Sequence, residues 1–219
     1  PFKRWAKEAP DRIWLAERVP GRDGWREVTY AQAFDLIGRI AAALIARGLS
    51  GNGAPLMILS GNSVDHALMT YGAILAGCPV APVSRAYSTL SSDFAKLKHV
   101  FSLVEPKAIW ADDLTPYAKG LSALDLSGVT LFHSVKGAEG FDSEPIAALL
   151  AEPGGAAAEA AYGRLSFDTV AKYLFTSGST GMPKAAINTH RMMCTNAAML
   201  RSMLADPDSE PPAVTLSWL

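Results

Sequence analysis

Cysteine is almost absent from this chain, which has 2 cysteines among its 219 residues. Cys78 and Cys194 lie far apart, and neither belongs to a spacing that is typical of metal sites. Small secreted domains that depend on disulfides carry several closely spaced cysteines, so the sequence argues against a disulfide framework. We therefore predict a protein of a reducing compartment, with the cytoplasm as its location.

An excess of charge of one sign is also lacking, because the formal net charge is −1 and the isoelectric point is about 6.5. Nucleic-acid-binding domains usually carry strong positive charge, so we expect no nucleic-acid partner. Long apolar runs are lacking as well. The best one, residues 67–83, is interrupted by Tyr71, two glycines and two prolines, whereas a membrane-spanning helix needs about 20 apolar residues. We expect no membrane span.

Glycine and hydroxyl side chains, in contrast, are concentrated in one short run, residues 176–184, which we call the phosphate loop. Glycines let a backbone approach a ligand closely, hydroxyls donate hydrogen bonds to phosphate oxygens, and lysine supplies positive charge. The sequence therefore predicts a site for a phosphate chain. Its candidate binding residues are Thr176, Ser177, Gly178, Ser179, Thr180, Gly181 and Lys184.

The phosphate loop differs from the common nucleotide-binding loop, in which glycine and lysine are adjacent and a helix follows. Here two residues separate Gly181 from Lys184, and an alanine comes next. The flanking residues 170–175 and 185–189 have the composition of strands, so we predict a long loop between two strands. The alternative is a flexible surface linker rich in serine and glycine. Linkers seldom carry a Pro-Lys pair between two strands, so the sequence favours the phosphate site.

The rest of the chain alternates between strand and helix patterns. Thr29 and Gln32 form the capping box of a first helix, which Gly48 ends. Strand, helix and strand follow within residues 56–83, a parallel unit of the usual size. This alternation predicts an α/β fold with a mostly parallel sheet and flanking helices.

Composition divides the chain into three predicted segments. Residues 1–135 form an N-terminal α/β subdomain, residues 136–166 are a mobile connection rich in alanine, glycine and proline, and residues 167–219 carry the phosphate loop. The chain stops within an alternating strand pattern, so we expect it to be the N-terminal fragment of a longer protein, truncated in its last segment. An exposed hydrophobic edge around residues 216–219 would favour dimerisation, as in a homodimer, or aggregation.

The phosphate loop resembles the signature loop of the adenylate-forming, or AMP-binding, superfamily, which includes acyl-CoA synthetases, peptide-synthetase adenylation domains and firefly-luciferase-like proteins. Residues 24–30 resemble the start of the family's first long helix, and residues 72–83 its helix-to-strand turn. Ala185 departs from the glycine that most members have after the lysine. Three further stretches resemble the feruloyl-CoA synthase branch, namely residues 81–84 with 86–88, residues 168–172 and residues 185–192.

The resemblance implies an ATP-dependent acid–CoA ligase. Such an enzyme converts a small carboxylic acid, ATP and Mg²⁺ to an acyl-adenylate and pyrophosphate, and coenzyme A then displaces AMP. The narrower branch implies a hydroxycinnamate such as ferulate. Lys184 is the implied catalytic residue, and the loop hydroxyls would hold the β- and γ-phosphates. The family's adenine, metal and adenylation-lysine residues would lie beyond Leu219, so we assign no metal ligand and expect the isolated chain to be inactive.

Two other functions remain open at this stage. The chain could be a nucleotide- or polyphosphate-binding module without catalysis, or part of another acyl- or aryl-CoA synthetase or of a carrier-loading adenylation domain. Among the histidines, His190 follows the second strand and either orients the loop or is structural, with the structural role favoured. His66, His99 and His133 lack metal-ligand spacing, and we predict that they are surface or packing residues.

Overall fold

Short buried strands and amphipathic helices alternate along the chain and build one large sheet. The computed structural model describes residues 2–19, 21, 23–51, 53–176 and 181–203. The strands are β1 Ile13–Arg18, β2 Trp25–Thr29, β3 Leu56–Ile58, β4 Val80–Pro82, β5 Ala108–Asp113, β6 Thr130–Lys136, β7 Glu144–Pro145, β8 Val170–Thr176 and β9 Lys184–Thr189. The helices are α1 Phe2–Glu8, α2 Tyr30–Ala46, α3 Val64–Ala76, α4 Ala86–Thr89, α5 Ala95–Val104, α6 Ala118–Leu121, α7 Ile146–Leu150, α8 Ala156–Arg164 and α9 His190–Ser202, with a 3₁₀ turn at Thr115–Tyr117.

The order of strands in the large sheet is β7-β6-β5-β3-β4-β8-β9. β3 lies at its centre and pairs in parallel with β4 and β5, so that Leu56 has Val80 on one side and Ala108 on the other. β8 continues the parallel order beside β4, and β9 returns antiparallel to β8. β1 and β2 form a separate antiparallel pair. This topology confirms the predicted α/β fold with a mostly parallel sheet.

Alternate side chains of β3 enter two different apolar cores, because successive residues of a strand point to opposite faces of a sheet. Leu56 and Ile58 belong to the first core, which is built mainly on α2 and α3. Met57 belongs to the second core, which includes Leu97 and Val100 of α5. A strand buried on both faces carries apolar residues throughout, as is typical of parallel sheets.

The N-terminus of α2 confirms the predicted capping box. The Gln32 backbone N–H donates to Thr29 Oγ1 over 3.2 Å, and the Thr29 N–H donates to Gln32 Oε1 over 3.0 Å. Such a cap stabilises a helix by about 1 kcal/mol. The spacing of Phe34, Ile37 and Ala41 predicts that they share one face of this helix. Ile37 and Ala41 do lie in the first core, whereas Phe34 is 40% exposed.

Serine is a common residue at the start of a helix, so Ser91 and Ser92 predict a helix that begins there, but α5 starts later in the chain. Ser91 Oγ donates to Asp93 Oδ1 over 2.9 Å and accepts from the Phe94 N–H over 3.1 Å, which forms a turn. Phe94 then adopts a left-handed conformation with φ 54°, and the helix begins at Ala95. Serine and aspartate side chains compete with a helix for backbone partners in this way.

The stretch from residue 136 to 166 contributes β7 at one edge of the sheet and the helices α7 and α8. Ile146 and Leu149 of α7 and Ala158 of α8 lie in the first core. The division into segments 1–135, 136–166 and 167–219 stays a prediction. Within the described ranges, no helix has the length and apolar character that crossing a membrane would require.

Gly72 offers a test of this packing, because a Cβ at this position of α3 would lie 2.4 Å from Ile40 Cγ2 and 2.7 Å from Ile40 Cβ on α2. We expect Gly72→Ala to lower the free energy of unfolding by about 1–3 kcal/mol, as overpacked cores do. Gly38→Ala in α2 is the matched control, because no atom lies within 4 Å of its added Cβ. The free energy of unfolding of Gly38→Ala should rise by up to about 1 kcal/mol, because alanine has a higher helix propensity than glycine.

Urea denaturation of both variants and the wild type measures these changes. Equal stability of Gly72→Ala and Gly38→Ala would contradict the close contact between α2 and α3.

Candidate functional site

The antiparallel pair β8 and β9 places the phosphate loop at one end of the hairpin. Phe175 pairs with Ala185, and Thr176 pairs with Lys184. Thr176 Oγ1 also donates to the Lys184 carbonyl over 3.4 Å. The two strands predicted on either side of the phosphate loop are therefore confirmed.

The structure describes three of the predicted site residues, Thr176, Gly181 and Lys184, and all three are exposed to solvent. Ser177, Gly178, Ser179 and Thr180 lie outside the described residues. At Gly181, no heavy atom of the described chain lies within 4 Å of the position that a Cβ would occupy. Among the ion pairs of the described residues, none involves Lys184.

This arrangement suits an anion chemically. Lys184 presents a positive charge to solvent without a carboxylate partner in the described ranges, and Thr176 adds a hydroxyl on the facing strand. Ammonium and hydroxyl groups are the side chains that bind phosphate oxygens, and both belong to the donor set that a phosphate chain requires. The described part of the site thus fits a phosphate group. The binding roles of the individual residues remain predictions.

Pro183 is buried, although Met182 before it and Lys184 after it are exposed. Its carbonyl lies 3.0 Å from Nε2 of His99 on α5. His99, predicted as a surface or packing residue, therefore contacts the phosphate loop. The prediction missed this contact because 84 residues separate the two positions, and no local pattern links a histidine on one helix to a proline so far along the chain.

The base of the hairpin is tied to the segment that precedes β8. The Arg191 side chain donates to Asp168 Oδ1 through Nε over 3.1 Å and through Nη2 over 3.0 Å. Both side chains are more than half exposed, and such pairs contribute only about 0–1 kcal/mol. Two backbone bonds join the same segments, from the His190 N–H to the Thr169 carbonyl over 3.0 Å and from the Arg191 N–H to the Phe167 carbonyl over 2.8 Å.

His190 begins α9 at the end of β9 and has a half-buried ring. Its Nε2 atom is shielded from solvent and makes no hydrogen bond to the described residues. Burial lowers the pKa of this imidazole below its ordinary value of 6.5, because a low-dielectric environment disfavours the charged form. The favoured structural role agrees with this environment.

A groove of about 230 Å³ lies beside the hairpin, between α3, β4, β8 and α9. Ile74, Val80 and Leu174 supply apolar wall, and Lys172 supplies a cation. Pockets for small molecules usually enclose about 300–1,000 Å³. Because this groove is smaller and open, we assign no substrate to it.

Metal ligands cannot be assigned to this part of the molecule. In the ranges that the structure describes, no group of three or more His, Cys, Asp or Glu side chains has the arrangement of a metal site. Magnesium keeps several waters and commonly binds through one or two carboxylates together with substrate phosphates. Among the described residues we therefore assign no ligand of Mg²⁺.

Comparison with known proteins agrees with this geometry. A family model described as AMP-binding enzyme matches residues 2–219. The chain is 29% identical over 208 residues to long-chain fatty acid transport protein 2 of Rattus norvegicus, a match that covers 92% of this chain and 31% of that protein.

Solved structures share the fold. The inhibitor-bound N-terminal domain of FACL13 from Mycobacterium tuberculosis superimposes with a TM-score of 0.70 at 24% identity, covering 93% of this chain and 47% of that one. ATP-bound MatB from Rhodopseudomonas palustris gives a TM-score of 0.68 at 25% identity, covering 92% of this chain and 37% of that one. The chain thus spans roughly a third of the length of the rat protein and of MatB.

The environment of His190 predicts a specific dependence of stability on pH. Because its pKa is lowered in the folded chain, the unfolded chain binds the proton more readily. The stability that the neutral ring provides is present above about pH 6.5 and is lost as the pH falls through the folded-state pKa.

We expect His190→Gln, which cannot titrate, to lose less of its free energy of unfolding than the wild type between about pH 7.5 and about pH 5. Urea denaturation at several pH values measures the difference. Identical pH profiles would show that burial of the ring does not oppose its protonation.

Proposed function

The chain belongs to the AMP-binding enzyme family, and on this premise we propose that the complete gene product is an ATP-dependent acid–CoA ligase. The single observation that carries the proposal is the exposed Lys184 at the end of the phosphate loop, opposite Thr176 and without an ion-pair partner among the described residues. The ATP-bound state of MatB supports ATP as the nucleotide.

The proposed reaction has two balanced steps. In the first, a carboxylate oxygen forms a bond to the α-phosphorus of ATP, the bond from that phosphorus to the bridging oxygen breaks, and pyrophosphate leaves with the bond's electrons. In the second, the thiol sulfur of coenzyme A bonds to the acyl carbon, the carbon–oxygen bond to AMP breaks, and the thiol proton goes to solvent. AMP is a far better leaving group than the oxide of a free carboxylate.

Lys184 would act on the leaving pyrophosphate in the first step. Negative charge accumulates on that group as the bond to the α-phosphorus breaks, and a fixed ammonium stabilises it without reorganisation. Thr176 and the loop hydroxyls Ser177, Ser179 and Thr180 would hold the β- and γ-phosphates in line with the attacking acid, which lowers the entropy cost of the encounter. Mg²⁺ would neutralise part of the same charge when it is bound with ATP.

The narrower proposal concerns the acid, and a hydroxycinnamate such as ferulate is our first candidate. The stretches 81–88, 168–172 and 185–192 support it through their resemblance to feruloyl-CoA synthases. A long-chain fatty acid is the second candidate, because the rat relative is named for the transport of such acids. A cytoplasmic location is part of the proposal, supported by two cysteines that are both free.

Carboxylate-dependent exchange between ATP and pyrophosphate, measured with the complete gene product, tests this proposal. Ferulate, acetate and a long fatty acid should be compared at equal concentrations. Exchange with ferulate alone would support the proposed hydroxycinnamate substrate. Exchange with another acid would support the ligase proposal and contradict the proposed substrate. Nucleotide binding without exchange for any acid would favour the binding module.

Replacement of Lys184 tests the role of its charge. We expect Lys184→Ala to slow ATP–pyrophosphate exchange by about 10²-fold, the size of effect seen when one group that stabilises developing charge is removed. Lys184→Arg should retain part of the rate, because it keeps a cation. The matched control is Lys119→Ala on α6, an exposed lysine outside the hairpin. Equal exchange rates for Lys184→Ala and Lys119→Ala would contradict the proposed role.

A further inference from the structure

β9 has few connections to the body of the protein, although it carries Lys184. Its first four residues, 184–187, are exposed, and it pairs with β8 alone in the described sheet. β8, in contrast, is anchored to the body of the protein, because Tyr173 and Phe175 pack against the second core. The two strands that flank the phosphate loop are therefore anchored unequally by apolar contacts.

The hydrogen bond between His99 and Pro183 compensates for this difference. α5 is fixed to the sheet by Leu97 and Val100, both of which are fully buried in the second core. His99 lies between these two residues in the sequence, so its backbone position is fixed as well. Its Nε2 reaches the carbonyl of the buried Pro183 over 3.0 Å.

The partner of His99 determines which ring nitrogen carries hydrogen. A carbonyl oxygen can only accept, so Nε2 must be the donor. Proline has no backbone N–H, so the carbonyl is the one backbone group through which Pro183 can be held by a hydrogen bond. The bond therefore requires a donor at the position of Nε2, and an apolar ring of similar size cannot replace it.

The plane of the Pro183 carbonyl also contains the nitrogen and Cα of Lys184, because the peptide group is planar. Holding this oxygen in place orients the peptide that leads directly into Lys184. Both sides of the phosphate loop then rest on the same core, through Phe175 packing on the β8 side and through His99 on the β9 side.

We propose that His99 is a positioning residue for adenylation: it holds the Pro183–Lys184 peptide on α5 and so directs the Lys184 ammonium towards the pyrophosphate. This inference rests on the proposed function for its catalytic consequence. The anchoring itself is a property of the fold and can be measured separately.

The test uses the complete gene product with three substitutions. His99→Phe keeps an aromatic ring and removes the donor, and His99→Gln places an amide N–H near the position of Nε2. His133→Phe is the matched control, because His133 is a part-buried histidine on β6 that bonds to Ser143. Three strands, β5, β3 and β4, separate β6 from β8.

Hydrogen exchange of peptides covering residues 184–189, measured without nucleotide, reports the anchor. We expect exchange about 10-fold faster in His99→Phe and close to the wild-type rate in His99→Gln and His133→Phe, since local opening governs exchange in weakly held segments. Wild-type exchange in His99→Phe would overturn the proposal, and so would equally fast exchange in His99→Gln.

ATP–pyrophosphate exchange reports the catalytic consequence. We expect kcat about 10-fold lower in His99→Phe with the KM of the acid unchanged, because small displacements of a catalytic group lower the rate more than the binding of a distant substrate. His99→Gln should recover most of the rate. A rise in the KM of the acid with unchanged kcat, or no recovery in His99→Gln, would contradict the positioning role.

The two measurements separate the failure of this inference from the failure of the proposed function. If the wild type shows no exchange of pyrophosphate with any acid, the ligase proposal fails. Hydrogen exchange still tests whether His99 anchors the start of β9. If the wild type is active and His99→Phe matches it in both measurements, the ligase proposal stands and the positioning role is wrong.

Discussion

Burial of β3 on both faces of the sheet is the constraint on which the rest of the structure depends. Its parallel pairing with β4 and β5 requires crossover connections, and these place α3 and α5 over the sheet. Leu56 and Ile58 then define the first core and Met57 helps to define the second. Because every backbone group of a buried strand must be paired, neither neighbour of β3 can be removed without exposing unpaired polar groups.

Burial declines from this central strand towards β9, and the candidate site lies at the less buried end. All three residues of β3 are buried, β8 is partly buried, and β9 contains no buried residue. A lysine at such an edge stays in contact with solvent, from which a charged ligand can reach it. The same exposure leaves the strand with few contacts that fix its position.

The candidate site therefore combines two needs that oppose each other. A cation that binds a phosphate chain has to face solvent, whereas stabilisation of developing charge requires that the cation be held in place before the reaction. The hairpin register satisfies the second need in part, by pairing Lys184 with Thr176. The His99 contact with Pro183 adds a fixed point one residue before the lysine, from a helix that is itself buried in the second core.

Features that depend on neighbouring residues could be predicted from the sequence alone. Thr29 and Gln32 cap α2, Gly77 ends α3 in a left-handed conformation, and the glycine- and hydroxyl-rich run lies between two strands, all through interactions within a few positions. The alternation of strands and helices was enough to predict the parallel sheet, because its connections have a restricted length and handedness.

Contacts between distant elements, in contrast, could not be predicted from local patterns and are known from the assembled fold. The central place of β3, the packing of α7 and α8 on α2 and the contact of His99 with Pro183 join residues that are far apart in the sequence. Phe34 is exposed, although its spacing matches that of Ile37 and Ala41, because burial depends on what the rest of the chain places against a helix. Local patterns encode local conformation, whereas contacts across many residues form only when the whole sheet has assembled.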